Sequence, residues 1–230
     1  MQFFYSKNIV DKFIILENQE MKHCINVLRK EINDLITVVD GKGIIFSCKI
    51  IEINLDNCKL LIIKKNKNLR NRNIHLCIAP TKSHKRMEWM VEKIVEIGID
   101  KITFMICTNS IRTSINLKRL NKIALSAMKQ TQTAYLPKIT QCTSFKTVLE
   151  QESSKHRYIA HLNHDKIIFL NKVKKLKTST SILIGPEGDF TEEEINYSLD
   201  KEFIEVSLGN TRLRTETAGI VSVTILNNNE

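Results

Sequence analysis

From residue 74 onward the sequence alternates short apolar runs with stretches of helical periodicity, and no other feature restricts the fold as much. IHLCIAP has the pattern of a strand, and HKRMEWMVEKIVEIG that of a helix with Met87, Met90, Val91, Ile94 and Val95 on one face and Gly98 as its stop. KITFMIC is the next strand. NLKRLNKIALSAMKQT is a helix capped at Asn116, with Leu120, Ile123 and Ala127 on its apolar side. KITQC, a helix opening at Ser144, and the strands RYIAHL and SILIG follow. This rhythm predicts an α/β fold in which helices cover both faces of a mostly parallel sheet.

The chain ahead of residue 74 has a different character. ILENQEMKHCINVLRK places Met21, Ile25 and Leu28 at helical spacing, and Asp34 opens a turn into LITVVD. DGKG, residues 40–43, carries hairpin chemistry, and the runs IIFSCKIIEI and CKLLIIK are joined across LDN. Closely spaced strands with tight turns predict a small, mostly β barrel. KKNKNLRNRN, residues 64–73, is almost without apolar side chains and marks the boundary, as a linker, a strand end or a phosphate-contacting edge. The expected domains are therefore 1–70 and 71–230.

A chain of 230 residues with 42% hydrophobic and 26% charged residues can bury a core in each part, which excludes wholesale disorder. No apolar run is long enough to cross a bilayer, and MQFFYSKNIVDKF lacks a signal-peptide pattern, so a cytoplasmic protein with no membrane attachment is expected. The six cysteines stand singly, without a CxxC pair, and are expected to be reduced, buried and hydrophobic in role. His161, His164 and Asp165 have a metal-like spacing without further ligands beside them, so no metal is expected. GxSxG and a nucleophile triad are lacking. The net charge of +10 suits a polyanion such as nucleic acid, although an abundance of Lys, Asn and Ile raises the charge without any binding.

Two segments combine a strand, a glycine-bearing turn and a helix. In SILIGPEGDFTEEEI, residues 181–195, Thr191 and Glu194 form a capping box and Phe190 with Ile195 a hydrophobic staple. Strand ends of this kind carry the ligand sites of open α/β sheets. GPEGD is not a phosphate loop, because Glu187 and Asp189 repel an anion; a neutral or cationic ligand suits it, and so does a plain tight connection that needs Gly185 and Gly188 for its backbone. In FIEVSLGNTRLRTETAGIVSVTIL the turn GNTR is basic, and Ala218 and Gly219 in the amphipathic helix allow close packing. If the two strands are neighbours, an acidic turn and a basic turn face each other across one cleft.

These two motifs, ILIGPEGDFTEEEI and VSLGNTRLRTETAG, with HCINVLRKEINDLITVVDG and KRMEWMVEKIVEIGI, make the chain resemble the small-subunit ribosomal RNA uridine-N3 methyltransferases of the SPOUT superfamily. The resemblance implies a PUA-like RNA-binding β-barrel followed by a SPOUT α/β domain whose C-terminal part forms a trefoil knot. It also implies a homodimer that binds S-adenosylmethionine and methylates N3 of a uridine in small-subunit ribosomal RNA, within the assembled subunit. One wall of the cofactor pocket would be Ile184, Gly185, Pro186, Glu187 and Gly188, and the other Leu208, Gly209, Leu213, Arg214 and Thr215, with Leu162 at a third strand end.

Losing the imide proton of uracil puts charge on the flanking carbonyl oxygens, and a fixed guanidinium stabilises it; Arg214 is the candidate. Glu216 would orient Arg214 or accept the proton, or else serve only the first turn of its helix. RNA contact would fall to His23, Arg29 and Lys30 in the barrel and to Lys82, Lys85 and Arg86 in the larger domain, or these cations face solvent. Relatives often have an apolar residue at position 212 and a basic one at 211, so Arg212 either contacts RNA or replaces that displaced charge beside Thr211. Trp89 is expected in the core or at the dimer interface. A non-catalytic RNA-binding protein and a SPOUT enzyme acting on another atom, such as a ribose hydroxyl, are the alternatives.

Overall fold

The computed structural model describes residues 2–68, 70, 73–162, 168–173 and 178–228. His164 and Asp165, and residues 69, 71 and 72 of the basic stretch, lie outside these. The chain forms two compact units, one of residues 1–70 with 125–136 and one of residues 71–124 with 137–230.

The first unit is built on strands β1 (Phe3–Tyr5), β2 (Ile9–Val10), β3 (Phe13–Glu17), β4 (Leu35–Val39), β5 (Ile44–Ile53) and β6 (Asn57–Lys67), in the order β1-β4-β5-β6-β3-β2. Only β1 and β4 pair in parallel. Two register shifts between β5 and β6 bend the sheet. Ser6 ties its two sides together, since its N–H donates to Val39 O at 3.2 Å and its Oγ to Ile15 O at 2.7 Å. In the β4–β5 hairpin, Asp40 Oδ1 accepts the N–H groups of Lys42 and Ile44 at 2.7 and 3.0 Å. Gly43 has φ 97°, and an added Cβ would lie 2.5 Å from the Tyr135 ring, so only glycine fits there.

The single helix expected over residues 15–30 is shorter and irregular. α1 (Asn18–Lys22) runs directly into a π-turn at His23–Val27, closed by Leu28 N–H to His23 O at 3.0 Å, and Arg29 then takes φ 52°. Met21 and Cys24 are nonetheless buried, and Ile25 and Leu28 pack on the same core as Leu16, Val38, Phe46 and Leu60. Residues 125–136 belong to this unit through Lys129 Nζ to Glu20 Oε1 at 2.5 Å, Gly43 N–H to Ala134 O at 2.9 Å and Leu136 N–H to Gly41 O at 2.9 Å.

The second unit runs β7 (Asn73–Ile78), α2 (His84–Ile97), β8 (Lys101–Ile106), α3 (Leu117–Gln130, whose residues 125–130 count with the first unit), β9 (Lys138–Ser144), α4 (Phe145–Gln151), β10 (His156–Ala160), β11 (Ile168–Phe169), β12 (Ser179–Ile184), α5 (Glu192–Asp200), β13 (Ile204–Ser207) and α6 (Thr215–Asn228). Its seven strands are all parallel, in the order β11-β13-β10-β12-β7-β8-β9, as the alternation of strands and helices predicts. β12 lies between β10 and β7, and β13 between β11 and β10. Both late strands thus sit inside a sheet whose neighbours precede them in the chain.

The helix starts follow local chemistry. Thr191 Oγ1 accepts from Glu194 N–H at 3.2 Å while Glu194 Oε2 accepts from Thr191 N–H at 3.0 Å, which completes the capping box of α5. Phe190 is buried and Ile195 packs against the same cluster. α6, expected to be amphipathic, is apolar on nearly all sides: Ala218, Gly219 and Val223 are buried, while Ile220, Val221, Ile225 and Leu226 are partly covered. A Cβ at Gly219 would approach Ile78 Cδ1 to 3.0 Å and Met90 Sδ to 3.1 Å, so α6 lies close on β7 and α2 because this position has no side chain. Gly219→Leu is expected to destabilise the fold by about 1–3 kcal/mol through overpacking. Urea unfolding measures this, and an unchanged midpoint would show that α6 moves away at no cost.

Five cysteines are buried, and Cys142 is partly so. Burial pushes the Cys24 and Cys48 thiols up to about 12, which leaves them unreactive. Trp89 is 49% exposed and lies outside the core, so the core half of its expected placement does not hold.

Candidate active site

β10, β12 and β13 are neighbours, and the turns after them leave the sheet on the same edge. Between those turns lies a cavity of about 280 Å³. Ile184, Gly185, Pro186 and Glu187 form one side; Leu208, Gly209, Leu213, Arg214 and Thr215 form the other, and Leu162 joins them from the end of β10. Of the residues read as a pocket from the sequence, Gly188 alone stands back from the cavity, with its carbonyl accepting from Asn109 Nδ2 at 3.2 Å.

Backbone geometry shapes both walls. Gly209 has φ 154°, and a Cβ added there would meet no atom within 4 Å, so the residue leaves an open cradle beside the chain. Gly185 is needed for a different reason. Its Cβ would come within 3.2 Å of the Phe190 ring and 3.3 Å of Asp189 Oδ1, so the conflict lies inside the turn. Asp189 itself takes φ 61°, a conformation that Asp tolerates better than most residues. Its Oδ2 accepts the N–H of Leu162 at 2.8 Å and its Oδ1 the N–H of Phe190 at 2.9 Å, which joins the β10 and β12 exits.

Asp189 reads from the sequence only as part of an acidic turn, and His161 only as part of a metal-like spacing and of the strand end that carries Leu162; both line the cavity. The His161 side chain is 1% exposed and its Nε2 lies 2.9 Å from Glu205 Oε1. Since β10 and β13 pair with Ile159 opposite Glu205, this dyad follows from strand register, which a linear sequence does not display.

The charges are sorted as expected, acidic on the β12 turn and basic on the β13 turn, but their partners differ. Glu216 is 6% exposed at its side chain and lies 3.5 Å from Arg86 Nε. Its partner is therefore Arg86, not Arg214. Arg214 is exposed and its guanidinium makes no hydrogen bond or ion pair among the described residues, which leaves it open to a ligand. Arg212 Nη2 reaches the carbonyl of Glu187 at 3.4 Å, bringing the two turns together.

The expected RNA contacts fall into two groups. Lys82, Lys85 and Arg86 are exposed; Lys82 N–H donates to the cavity residue Glu187, at Oε1, at 2.9 Å, and Arg86 meets Glu216. In the first unit, Arg29 is exposed without a partner among the described residues. Lys30 pairs with Asp34 at 3.5 Å, and the half-buried His23 contacts Gln2 Nε2 at 2.5 Å and the Phe4 ring.

Away from the cavity, His75, Cys77 and Glu152 bring one ligand atom each within 4.8 Å of one another, all buried. Their arrangement is that of a hydrogen-bond relay. His75 Nδ1 lies 2.5 Å from Glu152 Oε2 and His75 Nε2 2.7 Å from Thr103 Oγ1, which uses both in-plane directions of the ring. Cys77 Sγ joins the cluster, 3.3 Å from Nε2, 3.8 Å from Nδ1 and 3.9 Å from Glu152 Oε2. Burial by itself would raise the Glu152 carboxyl, but the hydrogen bond and charge of His75, with the N–H of Ser154, hold it at about 2.

Residues 68–227 match the family described as an RNA methyltransferase domain, and residues 16–63 match an RNA methyltransferase PUA domain. The chain belongs to the RNA methyltransferase family. It is 32% identical, over 94% of its length and 88% of the relative's, to ribosomal RNA small subunit methyltransferase E of Buchnera aphidicola from Acyrthosiphon pisum. The crystal structure of a probable rRNA-methyltransferase from Porphyromonas gingivalis superposes with a TM-score of 0.89 at 35% identity, covering 97% of this chain and 95% of that one. Ribosomal RNA small subunit methyltransferase E from Neisseria gonorrhoeae, solved bound to S-adenosyl methionine, superposes with a TM-score of 0.84 at 26% identity, covering 97% and 95%. In this RNA methyltransferase, no helix among the described residues is long and apolar enough to cross a membrane.

Proposed function

We propose that the chain binds S-adenosylmethionine in the cavity between the β10, β12 and β13 turns and methylates N3 of a uridine in small-subunit ribosomal RNA. The observation that carries this reading is an unpartnered guanidinium, Arg214, at the rim of a cavity walled by backbone from three strand ends. A cofactor held by backbone needs glycine at close approaches, and Gly209 provides an open one. The acidic β12 turn suits a ligand with sulfonium and ammonium charge. Family membership and the S-adenosyl methionine-bound relative support the same cofactor.

Bound S-adenosylmethionine supplies an electrophilic methyl group. Arg214 stabilises negative charge on a uracil carbonyl oxygen as the N3 proton leaves, and N3 then forms the new bond to carbon while the carbon–sulfur bond breaks. Glu216, buried beside Arg86 and set back from the cavity lining, accepts that proton through water. Arg86 is thereby drawn toward orienting Glu216, while Lys82, Lys85 and Arg212 beside the cavity meet RNA phosphates, as Arg29 and Lys30 do from the PUA-like barrel.

The same reading includes a trefoil knot, supported by the insertion of β12 and β13 between earlier strands. It also includes a cytoplasmic location and a homodimer, the latter supported by the exposure of Trp89 on α2 and the partly covered Ile220, Val221 and Ile225 on α6.

The test is methyl transfer from labelled S-adenosylmethionine to small subunits purified from cells lacking this protein, with the product base located by mass spectrometry. Label at N3 of one uridine is the expected result. Label on a ribose would remove the role given to Arg214, and binding without transfer would leave a non-catalytic RNA-binding protein.

A further inference from the structure

The connection from β8 to α3, residues 107–116, supplies no residue to the cavity, yet it braces the turns that do. Thr108 donates from its N–H and its Oγ1 to Glu194 Oε1, at 2.8 and 3.2 Å, so the capping carboxylate of α5 also holds this loop. Asn109 Nδ2 donates to the carbonyls of Gly188 and Asp189 at 3.2 and 3.0 Å. A Cβ at Gly188 would stand 3.1 Å from Asn109 Cβ, so the loop presses directly on the GPEG turn.

Arg112 completes the brace on the other side. Its Nε donates to Thr81 O at 3.0 Å, its Nη2 to Lys82 O at 2.6 Å and its Nη1 to His84 Nε2 at 2.6 Å. Arginine has no acceptor, so His84 Nε2 is the acceptor of that last bond. Two successive carbonyls are thus fixed by one planar fork. The N–H of Lys82, between them, is presented to Glu187 Oε1 at 2.9 Å, and Glu187 lines the cavity.

We propose that Arg112 is a positioning residue of the cofactor site: by holding the Thr81 and Lys82 carbonyls it sets the Lys82 N–H that anchors Glu187, and so fixes the wall that GPEG presents. This rests on the reading that the cavity takes S-adenosylmethionine. All three kinds of guanidinium nitrogen are engaged, which separates Arg112 from the free, ligand-facing Arg214. Lysine cannot replace it, because a point ammonium does not span two carbonyls as the fork does.

The experiment measures S-adenosylmethionine affinity by calorimetry, and kcat and KM for it on small subunits, with melting temperature alongside. The proteins are the full chain, Arg112→Ala, Arg112→Lys, Glu187→Gln and the double variant Arg112→Ala/Glu187→Gln. Arg112→Ala and Arg112→Lys are each expected to weaken cofactor affinity about tenfold and raise KM alike, with kcat at saturating cofactor within about threefold. The double variant is expected to be no weaker than the worse single one, because the two residues act in series.

Unchanged cofactor affinity in both Arg112 variants would overturn the proposal, as would losses that multiply in the double variant. Loss of RNA affinity with cofactor binding intact would make Arg112 an RNA contact instead. Should Arg112→Ala fail to fold, Arg112→Lys and Glu187→Gln still decide through the KM-against-kcat split. A wild-type chain that binds no S-adenosylmethionine would overturn the reading of the cavity itself, and wild-type binding matched by both Arg112 variants overturns only the positioning role.

Discussion

Arg214→Ala is expected to lower kcat by about 10²- to 10³-fold while S-adenosylmethionine affinity changes by less than about threefold. The guanidinium is exposed at the rim of the cavity and has no partner among the described residues, so its removal orphans no protein group and leaves the fold intact. Its charge is useful chiefly when the uracil oxygens become anionic, which happens on the way to the transition state and not in the bound ground state. Arg214→Lys restores charge without the planar fork and is expected to recover only part of the rate. Equal losses in kcat and in cofactor affinity would instead make Arg214 part of cofactor binding. Thermal melting of each variant separates either result from unfolding.

The second large effect concerns stability. Glu152→Ala is expected to destabilise the protein by about 3–5 kcal/mol near neutral pH, because it leaves a buried imidazole without its carboxylate. The two side chains are 6% and 4% exposed, and Glu152 also accepts the N–H of Ser154 at 2.8 Å.

The pH dependence follows from the direction of the shift. The Glu152 carboxyl is held at about 2, below its ordinary 4.5, so its ionised form is favoured in the folded state. The stability this supplies is present in full above about pH 4.5 and is lost as pH falls from there toward about 2. The gap between wild type and Glu152→Ala in urea unfolding is therefore expected to narrow as the pH is lowered through that window. A gap that stays constant down to about pH 3 would assign the loss to packing and not to the ion pair.

What was legible in the sequence was what neighbours along the chain encode. The strand–helix rhythm gave the parallel sheet. Thr191 and Glu194 are three positions apart, so the start of α5 and the turn before it were readable. The glycines and arginines of the two turns are legible as local turn chemistry, whereas their grouping into one pocket comes from the family resemblance; ten of the eleven residues so grouped line a single cavity.

The rest depends on register and on distant pairs. His161 meets Glu205 because β10 and β13 are neighbours, and Asp189 meets Leu162 across 27 positions. Arg112 reaches back to Thr81 and Lys82, and residues 125–136 return to the first unit through Gly41, Gly43 and Glu20. Charged residues far apart carry no mark of their partner, so the sequence offers Glu216 its neighbour Arg214, a proton or the first turn of its own helix, and not the Arg86 that it meets. The irregular turn at His23–Val27 has an ordinary helical pattern of apolar residues, so nothing in the spacing distinguished it.

The placing of β12 and β13 has a consequence for how such a chain comes to work as it is made. Synthesis proceeds from β1–β6 through β7, β8 and β9, then to β10 and β11, and at that stage the seven-stranded sheet has gaps where β12 and β13 belong. Residues 179–184 and 204–207 fill those gaps, and every wall of the cavity except the β10 exit is made of residue 184 or later. An unfinished chain therefore has its first unit but not the cavity. Pairings this distant are slow to form, and here they are also the last available. Completion of the fold and onset of activity become one event, so a truncated product is inert from the start.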